Sequence, residues 1–241
     1  MSVLILQNLV KRYHGRVIVD SVSLTVESGR VVGLLGPNGA GKTTTFYMAV
    51  GLIRPDGGSV LVDDEDLTEA PMHVRARMGV GYLPQESSVF RKLSAIENVM
   101  AILELRPMQA SARRSRAEAL LSELSIGHLA KARADVLSGG ERRRLEIARA
   151  LASEPKFLLL DEPFAGIDPL AVDEIQEIIR NLAAKGIGIL ISDHNVRETL
   201  TVCDFATILA EGKVIESGSP EHIATSPLAM RLYLGQDFRL F

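Results

Sequence analysis

The chain has 241 residues, 46% of them apolar, and a formal net charge of −3, which suits one large α/β domain or two small lobes around a sizeable core. Its slightly acidic balance, 27 Lys and Arg against 30 Asp and Glu, gives no overall attraction to nucleic acid. No apolar run reaches the ~18 residues of a membrane span, the opening apolar run is too short for a signal peptide and has no cleavage-like site, and the single Cys203 reads as core filler in a reducing compartment.

Residues 3–32 alternate apolar and polar in the manner of strands, with turns expected at His14-Gly15-Arg16 and Glu27-Ser28-Gly29-Arg30. Val31 to Leu35 is a buried strand, and a helix is predicted from Thr43 to Val50. Pro55-Asp56-Gly57-Gly58 signals a turn before a strand over Ser59–Asp63. Residues 86–153 are rich in Ala, Leu, Glu and Arg, with helical spacing in Arg113–Leu124, and Pro107 separates two helices. Phe157–Asp161 is apolar on both faces, as a buried parallel strand requires. A helix follows from Pro169 to about Lys185, with Val172, Ile175, Ile178, Ile179 and Leu182 on one face and Gly186 as its C′ residue. Ile187–Ser192 is the next buried strand, 206–218 a hairpin turning at Glu211-Gly212-Lys213, and 220–241 a short helical tail.

Between the first buried strand and its helix lies Gly36-Pro37-Asn38-Gly39-Ala40-Gly41-Lys42-Thr43-Thr44. Every fixed position of a phosphate-binding loop is filled, in the strand–loop–helix setting the motif needs. Its glycines let backbone N–H groups wrap a polyphosphate, and the helix N-terminus adds the positive end of its dipole. Lys42 can reach the β- and γ-phosphates, and the Thr43 hydroxyl suits Mg²⁺. The chain is therefore expected to bind a nucleoside triphosphate.

A second motif, Leu160-Asp161-Glu162-Pro163, sets carboxylates at the C-terminal end of a buried strand, where ligands sit in open α/β sheets. Asp161 is expected to hold Mg²⁺ and Glu162 to polarise the attacking water. A third, Leu137-Ser138-Gly139-Gly140-Glu141, offers backbone N–H groups at a helix start; taken alone it is equally an ordinary N-cap with glycines. The five histidines show no metal-ligand spacing. The basic clusters Arg142-Arg143-Arg144 and Arg113-Arg114 lack interleaved aromatics and read as a solvated helix face, not a nucleic-acid site.

Phosphate loop, Ser-Gly-Gly-Glu and Asp-Glu-Pro, in that order, resemble the ATP-binding cassette (ABC) ATPases over essentially the whole chain. The resemblance implies an α/β nucleotide-binding domain: a RecA-like P-loop core with an antiparallel β subdomain and an inserted α-helical subdomain. The division expected is 1–85 for the first part of the core with the β subdomain, 86–155 for the helical subdomain, 156–219 for the rest of the core, and 220–241 for the tail. It also implies that Gln85 senses the γ-phosphate and Mg²⁺, that His194 is the switch histidine contacting the γ-phosphate, and that Asp168 lies in the loop crossing a dimer interface. Tyr13 resembles the aromatic residue that stacks on adenine. Ser138, Gly139 and Gly140 would complete the site of a second subunit, so that ATP joins two copies and hydrolysis parts them.

Longer strings, among them Thr43-Thr44-Thr45-Phe46-Tyr47-Met48, Pro71-Met72-His73-Val74-Arg75-Ala76-Arg77, Ser192-Asp193-His194-Asn195-Val196-Arg197-Glu198-Thr199 and the ending Tyr233-Leu234-Gly235-Gln236-Asp237-Phe238-Arg239-Leu240, resemble the ATPase subunits of lipopolysaccharide export (Lpt). This implies a cytoplasmic homodimer, peripheral on the inner membrane, under two transmembrane permease subunits of the LptF/LptG kind, using ATP to extract lipopolysaccharide toward the outer membrane. Phe90 and Arg91 would face those subunits; read by itself, Phe90 suits either such a surface or the core. Branched-chain amino-acid importer ATPases share the phosphate loop and a Leu-Pro-Gln segment and are the alternative, with a non-transport ABC ATPase behind them.

Overall fold

In a computed structural model, which describes residues 1–240, apolar residues at every second position build the opening hairpin. Strands β1 (Val3–Tyr13) and β2 (Arg16–Glu27) pair antiparallel and bury Leu4, Leu6, Val22 and Val26. Next come β3 (Val31–Leu35), α1 (Lys42–Val50), β4 (Gly57–Val62), β5 (Glu65–Asp66), α2 (Met72–Arg77) and β6 (Val80–Leu83). A helical stretch holds α3 (Ala95–Leu103), α4 (Ala110–Glu123) and α5 (Gly139–Leu151). The chain returns through β7 (Phe157–Asp161), α6 (Pro169–Ala184), β8 (Gly188–Ser192), α7 (Val196–Val202), β9 (Phe205–Ala210) and β10 (Lys213–Gly218), then α8 (Pro220–Thr225) and α9 (Pro227–Ala229).

Two sheets result. The smaller, in the order β2-β1-β4-β5, is antiparallel. The larger runs β10-β9-β3-β8-β7-β6 and is parallel except for its β10 edge. Strands β3, β7 and β8 are wholly buried. Their alternate residues serve different cores: Leu34, Phe157, Leu159 and Leu190 join α1 and the smaller sheet, while Leu158, Leu160, Ile189 and Ile191 join α3, α4, α5 and α6. The expected α/β class with an antiparallel companion sheet is the one observed.

Several boundaries differ from the sequence reading. The turn Pro55–Gly58 runs into β4, and Gly58 adopts φ +81° where an added Cβ would lie 2.3 Å from the Gln7 and Asn8 carbonyl oxygens. Tyr82-Leu83 belongs to β6, parallel to β7, and α2 has no counterpart in the predicted elements. Buried Arg75 of α2 donates to the Met48 and Ala49 carbonyls, which satisfies the open C-terminal end of α1. The tail is helical to Leu234, ending in a π-helix over Met230–Leu234, and Tyr233, Leu234, Phe238 and Leu240 join the apolar cluster of Leu35 and Ile208. The last residue of the predicted tail, Phe241, lies outside the described residues.

Candidate active site

The phosphate loop leaves the end of β3 and enters α1. Gly36, Gly39 and Gly41 take positive φ, and at Gly36 an added Cβ would lie 2.1 Å from the Leu209 carbonyl oxygen, so only glycine fits between loop and β9. Helix α1 begins at Gly41 without a side-chain cap, which leaves its first N–H groups available to an anion. Asn38, Gly39 and Thr43 are exposed and Thr44 half-buried. Lys42 is buried, and its Nζ donates to the Gly36 (2.6 Å) and Pro37 (3.1 Å) carbonyls. Burial holds its ammonium below the usual lysine range, although Glu162, Asp161 and Asp193 act against that shift. The tip of the β9–β10 hairpin braces the loop: the Gly212 N–H donates to the Ala40 carbonyl (3.1 Å), and the Gly212 carbonyl accepts from the Asp20 N–H of β2 (2.8 Å).

Asp161 ends β7 at 3% exposure. Its one side-chain partner is the Tyr82 hydroxyl, which donates to Oδ2 at 3.4 Å. Burial first, and the charge of Glu162 second, push its carboxyl up to about 6. Burial also raises the Tyr82 hydroxyl above its usual range. The residues expected to hold Mg²⁺, Thr43, Gln85 and Asp161, all offer oxygen donors, the kind that a hard cation takes.

Glu162 follows in the left-handed region at φ +47°, a conformation that in a non-glycine residue is held by its surroundings. Its N–H donates to the Ser192 carbonyl (2.6 Å) across the β7–β8 pair. Its Oε2 accepts from Gln85 Nε2 at 2.8 Å and lies 3.3 Å from His194 Nδ1. Gln85, Glu162 and His194, up to 109 positions apart by their numbers, therefore converge on one carboxylate. Asp193, given no role in the sequence reading, fixes this arrangement: fully buried, it accepts from the Phe164 and Asn195 N–H groups, so it ties the His194 loop to the loop after Glu162. Burial raises its carboxyl above the usual range.

Ser138, Gly139 and Gly140 lie at the start of α5, where Gly139 and Gln85 line one cavity. Ser138 caps α5 in a reciprocal box with Glu141. A Cβ on Gly139 would come within 3.5 Å of the Gly166 carbonyl, and one on Gly140 within 2.8 Å of Ala171. Asp168 caps α6 through the Ala171 N–H (3.1 Å). Tyr13, at the end of β1, is 42% exposed, with Lys11 Nζ 5.5 Å from its ring centroid. Phe90 is not core: it is 47% exposed, with the Arg149 guanidinium 4.7 Å from its ring centroid. Buried Asn98 accepts from the Phe90 N–H and donates to its carbonyl, which fixes the turn that presents exposed Arg91.

The arginine triplet is not a solvated face. Arg143 is buried among the carbonyls of Pro84, Asp161 and Glu162, and Arg144 pairs with Glu174 at 2.9 Å with its side chain mostly covered. Consecutive helical residues point about 100° apart, so three in a row cannot all face water on a packed helix.

A phosphate loop braced by a hairpin, facing a buried carboxylate and a convergent Gln–Glu–His cluster, is the site of a nucleotide-hydrolysing cassette. The chain belongs to the ABC transporter family, whose model matches residues 19–165; it binds ATP and is an ATP-hydrolysing subunit of that family. It is 59% identical to the lipopolysaccharide export system ATP-binding protein LptB of Acidithiobacillus ferridurans, over 97% of each chain. It is 55% identical to LptB of Escherichia coli K12 over the full length of both. Among solved structures, the ADP conformation of the ATP-binding cassette MJ1267 superposes with a TM-score of 0.87 at 28% identity, over 98% of this chain and 100% of that one. The cbiO1 protein of Clostridium perfringens, part of the ABC transporter complex cbiONQ, does so at 0.86 and 29%, over 95% and 92%. Among the described residues no helix is long and apolar enough to cross a membrane.

Proposed function

We propose that this chain is the ATPase of a lipopolysaccharide-export transporter. It works as a homodimer on the cytoplasmic face of the inner membrane, beneath two membrane-spanning subunits of the LptF/LptG kind. The observation that carries hydrolysis is the convergence of Gln85 and His194 on the Glu162 carboxylate. The cargo rests on full-length similarity to LptB.

In this reading the N–H groups of Gly36, Asn38, Gly39, Gly41, Lys42, Thr43 and Thr44 cradle the phosphates, and Lys42 leaves the loop carbonyls for the β- and γ-oxygens. Tyr13 stacks on adenine. Thr43, Gln85 and Asp161 hold Mg²⁺, which when bound neutralises charge on the β- and γ-phosphates. Glu162 accepts the proton of the water that attacks the γ-phosphorus, the bond to the β–γ bridging oxygen breaks, and ADP and phosphate leave. His194 orients the γ-phosphate and keeps the Glu162 carboxylate aimed. Ser138, Gly139 and Gly140 serve the nucleotide of the partner copy. Asp168 sits at that interface. The chain then divides into core and β subdomain (1–85), helical subdomain (86–155), the remaining core (156–219) and tail (220–241), with Phe90 and Arg91 facing the membrane subunits.

The test is purification of the tagged chain from detergent-solubilised membranes, with mass identification of its companions. Two multi-span subunits carrying lipopolysaccharide are expected, with at least about tenfold less recovery for Phe90→Ala. Amino-acid importer permeases would overturn the cargo, and soluble partners alone would overturn the transporter assignment.

A further inference from the structure

Arg143 is the most enclosed cation near the site. It lies in α5, five residues after Ser138, with 6% exposure. Its Nη1 donates to the Pro84 carbonyl at 3.0 Å and to Glu146 Oε2 at 3.1 Å. Its Nη2 donates to the Asp161 and Glu162 carbonyls, both at 3.1 Å. One planar fork therefore grips the peptide before Gln85 and the two peptides that carry Asp161 and Glu162. Glu146, itself 4% exposed, anchors the fork and accepts the Ser88 N–H at 2.9 Å.

This grip falls where the backbone needs it. Glu162 sits at φ +47°, a region a non-glycine residue occupies only when its neighbours over-determine it. The Ser192 carbonyl holds the N–H side of Glu162, and Arg143 holds its carbonyl side. Gln85, whose amide donates to the Glu162 carboxylate, hangs from the same fork through Pro84.

We propose that Arg143 is a positioning residue for hydrolysis: by clamping the Pro84, Asp161 and Glu162 carbonyls it aims the Glu162 carboxylate and brings Gln85 to it. The proposal rests on the reading of Glu162 as the group that takes the water proton. The hydrogen bonds of Arg143 go to three carbonyls and Glu146, so it acts through Glu162 and Gln85. A misaimed general base costs turnover, because reaction rate is steep in the position of reacting groups, while ground-state binding on the phosphate loop stays intact.

Arg143→Lys is the discriminating variant. It keeps a cation for Glu146, yet one ammonium cannot span carbonyls on two sides as a guanidinium does. In the full-length protein we expect kcat to fall about 10- to 100-fold, with KM for ATP within about twofold of the parent. In the Glu162→Gln background the same substitution is expected to cost less than about a further twofold, because both changes act through one carboxylate. A parental kcat, a raised KM with kcat unchanged, or a full additional loss in that background would each overturn the proposal. Glu162→Gln alone at the parental rate would instead sink the reading of Glu162, so the two failures are distinct. If Arg143→Lys lowers Tm by more than about 5 °C, the double variant Arg143→Met/Glu146→Gln replaces it. That variant removes the buried charges together and leaves an acceptor for Ser88; the same kcat and KM criteria then decide.

Discussion

Asp161 and Glu162 are adjacent in sequence, yet their surroundings divide them. Asp161 is sealed in the sheet with one long hydrogen bond, whereas Glu162 reaches out to Gln85 and His194. The raised carboxyl of Asp161 has a consequence for the nucleotide-free protein. Below about pH 4 both folded and unfolded chains hold its proton; between about 4 and 6 only the folded chain does, so folding loses stability as pH rises through that window. Above about 6 the whole penalty stands, on the order of 3 kcal/mol for a shift from the usual value to about 6. Asp161→Asn is therefore expected to raise the unfolding free energy of the Mg²⁺-free and nucleotide-free protein at pH 7.5 by about 1–3 kcal/mol, and to add nothing near pH 4. Urea unfolding at both pH values measures this, and equal stability at pH 7.5 contradicts it. The same variant should lose turnover, since a destabilised site is one a ligand can stabilise.

Helix α5 combines two jobs at one end. Ser138 and Glu141 cap it reciprocally, and the same serine is assigned to the partner's phosphate. Ser138→Ala should cost about 1 kcal/mol of stability through the lost cap, and turnover with it. Ser138→Asp separates the two: it restores a cap but sets a negative charge against the partner's γ-phosphate, so stability in urea stays within about 0.5 kcal/mol while turnover falls. If Ser138→Asp hydrolyses ATP at the parental rate, the trans role fails. Elements of this kind mark the limit of what was legible in the sequence. The phosphate loop, Asp161–Glu162 and Ser138–Glu141 are contiguous strings whose chemistry depends on neighbours in the chain. The strands β3, β7 and β8 show as unbroken apolar runs. Asp193 and Arg143 stayed hidden because the carbonyls and the Phe164 N–H that give them their roles lie 18 to 59 residues away. Helix α2 stayed hidden because six residues carry too little periodicity to read.

At the scale of the molecule, the chain carries a single phosphate loop and a single Ser-Gly-Gly-Glu signature. In the proposed homodimer, two copies related by a two-fold axis would complete each other's sites. With ATP and Mg²⁺, Glu162→Gln is expected to elute as a dimer in size exclusion with light scattering, and as a monomer with ADP, because nucleotide is held but not cleaved. A Glu162→Gln monomer in saturating ATP would refute the closed sandwich.

The bracing of the phosphate loop by Gly212 has a practical meaning for anyone building with this fold. The Glu211-Gly212 turn has the look of a convenient place for an epitope, a fluorophore or a fused domain, since such tips usually tolerate insertion. Here the turn is a joint between the nucleotide pocket and the smaller sheet, through Ala40 and Asp20. Cargo spliced there would prise the pocket open, whereas the exposed Gly235–Asp237 stretch of the tail offers a handle that leaves it closed.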